Sequence, residues 1–175
     1  ALAEGAFLKA IELESRLLES YVRLGNLYRD SGRYNEALAK LDEAIKVDPK
    51  NASAQMLLAV LYEGKGETAK AQQGYERVLA LNPRFAPAAN NLAWLYSEHG
   101  GDKEKALQLA QIAKEMAPED PHISDTLGWI LYQRGVYQRA ASLFKESAAK
   151  LPDSPVIQYH LGLASVKVGD KDGAR

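Results

Sequence analysis

The sequence contains no cysteine, so it can form no disulfide framework, no thiolate metal site and no cysteine nucleophile. Its three histidines, His99, His122 and His160, stand far apart, and none has a second ligand at metal spacing. Neither a metal nor another cofactor is therefore expected, and the chain is not expected to be an enzyme. A surplus of charge of one sign is also lacking: 22 Lys and Arg face 23 Asp and Glu, a formal charge of −1. Such a chain has no net pull toward a phosphate backbone, and nucleic acid is not an expected partner. No stretch reaches the roughly 18 consecutive apolar residues of a spanning helix, so direct membrane insertion is not expected. The opening segment is broken by Glu4, Lys9, Glu12 and Glu14, where a secretory leader needs an uninterrupted apolar run. The lack of thiols suits a cytoplasm or an oxidising envelope equally, and the compartment stays open.

What the sequence does contain is a period. Pro49, Pro83, Pro118 and Pro152 are spaced 34, 35 and 34 residues apart, and Pro87, Pro121 and Pro155 are spaced 34 and 34. Ala3, Ala37, Ala71, Ala106, Ala140 and Ala174 follow the same step, and Gly32, Gly66, Gly101, Gly135 and Gly169 mark a turn in each period. One inserted residue, between Tyr96 and Ala106, accounts for the single step of 35. A recurrence of this kind indicates stacked structural units.

Inside each unit apolar residues recur at the helical spacing i, i+3, i+4, i+7, as in Tyr21, Leu24, Gly25 and Tyr28. After the turn glycine a second helical pattern starts, as in Ala37, Leu41 and Ala44, and a proline ends it. Each unit is thus expected to be a helical hairpin. Asp120-Pro121 and Ser154-Pro155 combine a capping side chain with a proline whose φ is already helical, which predicts firm helix starts. Gly25, Ala59, Ala93, Gly128 and Gly162 fall in the middle of the first helices. Against the alanines of the second helices they predict close small-to-small contacts, with the flanking Leu, Tyr and Phe144 filling the space around them.

These residues resemble the tetratricopeptide repeat (TPR) family. The unit 18–51 supplies Tyr21, Leu24-Gly25, Tyr28, Ala37, Leu41, Ala44 and Pro49, and 52–85 supplies Leu58-Ala59, Tyr62, Ala71, Tyr75, Val78 and Pro83. Unit 86–120 keeps Leu92-Ala93, Tyr96, Ala106, Ala113 and Pro118, but has Ala110 where the pattern has a large residue, so looser packing is expected there. Unit 121–154 departs at Leu131 and Ser147. Residues 1–17 resemble the second helix of a truncated repeat and 155–175 a partial fifth repeat. The stretches around Trp94, Trp129 and His160 are most similar to bacterial TPR arrays. The resemblance implies an all-α, right-handed α-solenoid over 1–175 as a single array that binds a protein or peptide on its concave face.

In that family the stripe next to the core stripe of each first helix faces the groove. Here it reads Val22, Asn26, Arg29; Met56, Val60, Glu63; Asn90, Trp94, Ser97; Asp125, Trp129, Tyr132; and Tyr159, Leu163, Val166. The expected groove residues are Asn26, Met56, Val60, Asn90, Asn91, Trp94, Asp125, Trp129, Tyr132, Tyr159 and Leu163, with the two tryptophans one above the other. The tryptophans would equally fit as fillers between neighbouring first helices. Some TPR domains clamp a C-terminal carboxylate. Asn26 and Asn91 fall on Asn-bearing positions of that clamp, but Val22, Leu57 and Pro87 replace its other polar members, so tail binding is not expected.

Remaining motifs read as structure. Gly64–Ala69 superficially fits a phosphate loop but follows no strand. Glu36, Glu43 and the 102–105 charge run suit caps and solvated helix faces. The competing expectation is structural: apolar residues around Phe7 and Leu8 leave an open repeat end, through which copies could self-associate into an array.

Overall fold

Helical hairpins appear throughout the computed structural model, which describes residues 2–169. Ten helices lie among the described residues: α1 Leu2–Leu13, α2 Leu18–Asp30, α3 Tyr34–Val47, α4 Ala52–Gly64, α5 Thr68–Leu81, α6 Ala86–Glu98, α7 Lys103–Met116, α8 Pro121–Gln133, α9 Tyr137–Lys150 and α10 Pro155–Val168. The class is all-α. The chain divides into two compact units, Ala1–Pro83 and Arg84–Arg175. The first holds α1 to α5 and the second α6 to α10. In each, every helix packs against the next in sequence, most extensively between the first and second members of a repeat. Ala174 and the other residues of the expected partial fifth repeat after Gly169 lie outside the described residues.

The turn inside each hairpin is closed in one way. A glycine adopts a left-handed φ of 72° to 78° at Gly32, Gly66, Gly100, Gly135 and Gly169. After Gly32, Gly66 and Gly135 the next N–H reaches back to the first helix, as Arg33 does to the Tyr28 carbonyl at 2.8 Å and Val136 to the Leu131 carbonyl at 2.9 Å. This corrects the glycine ladder. In the third repeat the left-handed residue is Gly100, and Gly101 supplies the returning N–H, to Tyr96 at 3.0 Å. A Cβ on Gly101 would stand 2.4 Å from Tyr96 Cδ1, so this glycine answers to space and not to φ. Elsewhere one residue both closes the turn and starts the next helix. The insertion separates these tasks, and Asp102 becomes an N-cap that accepts from Glu104 N and Lys105 N, both at 3.0 Å.

Helix ends follow the prolines. Asp48 and Asn82 take extended backbone just before Pro49 and Pro83. Asp120 caps α8 through His122 N and Ile123 N as expected, whereas Ser154 makes no side-chain cap on α10.

The hairpin contact also differs from the small-to-small expectation. A Cβ on Gly25 would stand 2.9 Å from Leu41 Cδ2, and one on Gly128 would stand 2.7 Å from Phe144 Cε1. The missing side chain of the first helix therefore makes room for the large residue of the second. In the second repeat small meets small, where Gly74 lies under Ala59. Leu41, Tyr75 and Phe144 are each 0% exposed. Ala110, at the equivalent place, is equally covered, so its repeat is not left open by the smaller residue.

A polar tie binds helices inside each unit. In the first, Glu4 of α1 accepts from Tyr28 Oη at 3.0 Å and from both terminal nitrogens of Arg33 at 2.9 Å. Hydrogen bonds from Arg33, and then Tyr28, hold the Glu4 carboxyl below its ordinary range. In the second unit Lys114 of α7 bonds to Ser124 of α8 at 2.7 Å and pairs with Glu146 of α9, and that pairing lowers the Glu146 carboxyl in turn.

Gly128→Ala is expected to destabilise by about 1–3 kcal/mol, because the Phe144 ring must shift. Gly162→Ala, with nothing within 4 Å of the added carbon, should stabilise by up to about 1 kcal/mol through helix propensity. Urea denaturation of the two variants checks the opposite signs. The depressed Glu4 carboxyl predicts a second outcome. Its contribution is present above the unfolded value of 4.5 and is lost as pH falls through the lower folded one. Amide exchange across α1, corrected for intrinsic rates, should quicken in acid and in Glu4→Gln at neutral pH; unchanged protection in both would contradict it.

Candidate partner-binding face

The residues expected in the groove divide between the two units. In the first, Asn26 is half-buried on α2 and its Nδ2 donates to the Val22 carbonyl of its own helix at 3.1 Å. Met56 and Val60 are half-buried on α4, which packs against α2. They form a modest apolar patch beside a self-satisfied amide. The neighbouring Glu63 accepts from the Tyr75 hydroxyl.

The second unit concentrates the aromatic residues. Its first helices α6, α8 and α10 pack side by side, with α8 between the other two. Trp94 is half-buried on α6, Trp129 and Tyr132 on α8, and Leu163 on α10, while Tyr159 is 63% exposed and Val166 67%. Asn90 and Asn91 are half-buried on α6. Asn90 Nδ2 donates to Asn91 Oδ1 at 3.3 Å, leaving its own buried Oδ1 without a hydrogen bond.

Trp129 is held from three helices. Its Nε1–H donates at 2.7 Å to Oε1 of Glu98, which also accepts from Gln133 at 2.9 Å. Its ring lies over His160 of α10, with centroids 4.3 Å apart and planes 21° from parallel, and runs nearly parallel to Tyr132 at 5.5 Å. The ring that stacks on Trp129 therefore belongs to His160 and not to the equivalent Trp94.

Asp125 needs correction as a groove residue. It is only 9% exposed, and its Oδ1 accepts from His160 Nδ1 at 2.9 Å, so it points inward between α8 and α10. A carboxylate facing solvent would gain nothing from that arrangement, whereas a buried one needs a donor. Sequence reasoning also missed His160 and Glu98. Glu98 lies four residues after Trp94 on the same helical face, a signal that was available. His160 occupies the repeat position of Arg23, Leu57, Asn91 and Thr126, which names no common role, and only packing shows its partners.

Models of the tetratricopeptide repeat match residues 25–66, 53–84 and 75–108. The chain is a tetratricopeptide repeat protein. A comparison with curated proteins finds no match. Among solved structures this TPR chain is similar to YrrB, described as a TPR protein with an unusual peptide-binding site, at 23% identity and a TM-score of 0.77 over 97% of this chain and 87% of that one. It is also similar to pilF of Pseudomonas aeruginosa, at 26% identity and TM-score 0.78, covering 90% and 72%. PilW, described as a type IV pilus biogenesis factor, matches at 22% identity and TM-score 0.79, covering 91% and 73%. The likeness to YrrB and PilW is one of fold. TPR chains are scaffolds for protein–protein interaction, generally without chemistry of their own, and this is the class of the present one. No described helix is long and apolar enough to cross a membrane.

Trp94 makes no ring contact among the described residues, so Trp94→Ala should cost far less stability than Leu127→Ala, whose 5% exposed side chain is worth about 2–5 kcal/mol. Trp129→Ala should fall between them. Thermal denaturation of the three variants measures the order, and a Trp94 loss equal to that of Leu127 would place Trp94 in the core.

Proposed function

We infer that the TPR chain recognises an extended or helical apolar peptide segment on the first helices of its repeats, without catalysing a reaction. In the second unit the contacts come from Asn90, Asn91, Trp94, Trp129, Tyr132, Tyr159 and Leu163; in the first, Asn26, Met56 and Val60 supply a separate, smaller patch. The observation that carries this reading is the concentration of partly exposed aromatic and aliphatic side chains on α6, α8 and α10, with Tyr159 and Val166 more than half exposed. Exposed apolar groups gathered on one face mark recognition surfaces, and buried aromatic anchors carry most of the energy at such surfaces. The peptide-binding site ascribed to YrrB supports the reading by analogy of fold.

The test uses the full chain and a phage-displayed library of random dodecapeptides. Peptides selected on the wild-type protein should be apolar, and Tyr159→Ala and Trp94→Ala should weaken them by about thirtyfold each, the equivalent of about 2 kcal/mol. Gln108→Ala, exposed on α7, should leave binding unchanged. Peptides indifferent to both aromatic variants would refute the assignment of the face.

A second reading, self-association, draws on the cover of α1. The second-helix residues Ala37, Leu41 and Ala44 are each 0% exposed, but their counterparts Ala3, Phe7 and Ala10 are exposed or half-buried. On α10, Gln158, Leu161 and Gly162 are similarly less covered than Ser124, Leu127 and Gly128. A first helix and a second helix of matching pattern thus each present an incompletely covered face, which a second copy would fill. Light scattering over a concentration series should show mass growth that Phe7→Glu abolishes; constant monomer mass would exclude this reading.

A further inference from the structure

We propose that Asp125 and His160 act as a positioning pair that fixes the indole of Trp129 on the partner-binding face. The proposal rests on the peptide-binding reading for its purpose, but not for its geometry.

His160 is 4% exposed and carries two ring nitrogens into a site walled by aromatic residues: Trp129 at 4.3 Å, Phe144 at 5.3 Å and Tyr159 at 6.0 Å between ring centroids. For packing alone, a phenyl ring would serve there without a polar group to satisfy. What imidazole adds is a donor. Nδ1–H bonds to Oδ1 of Asp125, itself 9% exposed, and this bond fixes the rotation of the ring about its χ2 axis. A terminal sp³–sp² torsion of this kind is otherwise broad and roughly two-fold. With that rotation set, the plane offered to Trp129 is set too. The far edge of the indole is tied by its Nε1–H to Glu98 of α6.

The indole is therefore located by α6 through a hydrogen bond, by α8 through the chain and by α10 through a ring whose orientation is itself locked. A face held in this way does not have to immobilise its largest side chain when the partner arrives, and such preorganisation increases affinity. Asp125 and His160 reach the partner only through Trp129; they are positioning residues, placed behind the surface that the aromatic residues present.

The experiment uses the full chain with Trp94→Phe, which leaves Trp129 as the only indole. Time-resolved fluorescence anisotropy without any partner reads the local motion of Trp129. His160→Phe keeps a planar ring in the slot but removes the donor, and Asp125→Leu removes the acceptor. Asp125→Asn keeps an acceptor oxygen. The first two should raise the amplitude of sub-nanosecond motion about twofold, and the asparagine should restore the wild-type value. Both mobile variants should also bind the selected dodecapeptides about threefold to tenfold more weakly. Native anisotropy in His160→Phe and Asp125→Leu, even with lowered melting temperatures, would reduce the pair to packing and overturn the proposal. So would an asparagine variant as mobile as the leucine one. Rigid-to-mobile changes with unaltered peptide binding would uphold the positioning and refute instead the role of Trp129 in recognition.

Discussion

In the hairpins a gap in one helix receives a bulk from the other. Gly25 leaves the space that Leu41 fills, and Gly128 the space that Phe144 fills. In the second repeat Gly74 lies under Ala59, and there small meets small. Interiors pack at crystal-like density, so size lost on one side must be regained on the other, or the axes must move. That constraint sets how closely each first helix lies against its second. The spacing in turn sets which stripe of the first helix is covered and which is left for a partner. The left-handed glycines and prolines determine where helices stop, but only this contact determines how they meet.

From that contact follows the character of the second unit's outer face. Core positions are spent on the hairpin, and the adjoining stripe of α6, α8 and α10 is free to carry Trp94, Trp129, Tyr132 and Tyr159. Large aromatic groups on an exposed stripe are mobile unless something holds them. Trp129 is held by Glu98 and by His160, and His160 by Asp125. Polar groups thus serve the apolar surface from beneath it. Their geometry is affordable because each buried donor has an acceptor.

The repeat phase was legible because proline, glycine and alanine each have one backbone or packing reason to recur, and three independent ladders agreed. The first helices start where the ladders place each unit, at residues 18, 52, 86, 121 and 155, whereas the helix expected over 1–17 ends at Leu13. The misplacement at Gly101 shows the limit of that reasoning. Two adjacent glycines can both satisfy a ladder, and only the hydrogen bond from Gly101 to Tyr96 assigns the left-handed turn to Gly100. The small-to-small expectation failed at Gly25 and Gly128 for a related reason. Spacing along one helix says that a residue faces inward, but not which residue of another helix it meets.

Periodicity alone therefore determined that this chain is a series of helical hairpins, where each begins, and which stripe of each first helix adjoins the core. These are properties of local backbone chemistry and of a helix's fixed rotation per residue. Tertiary structure decided that Asp125 turns inward, that His160 and not Trp94 stacks on Trp129, and that Glu98 completes the hold. Those partners lie about one repeat apart in sequence, and the direction of a side chain across such a distance is set by packing between helices, which no single repeat encodes.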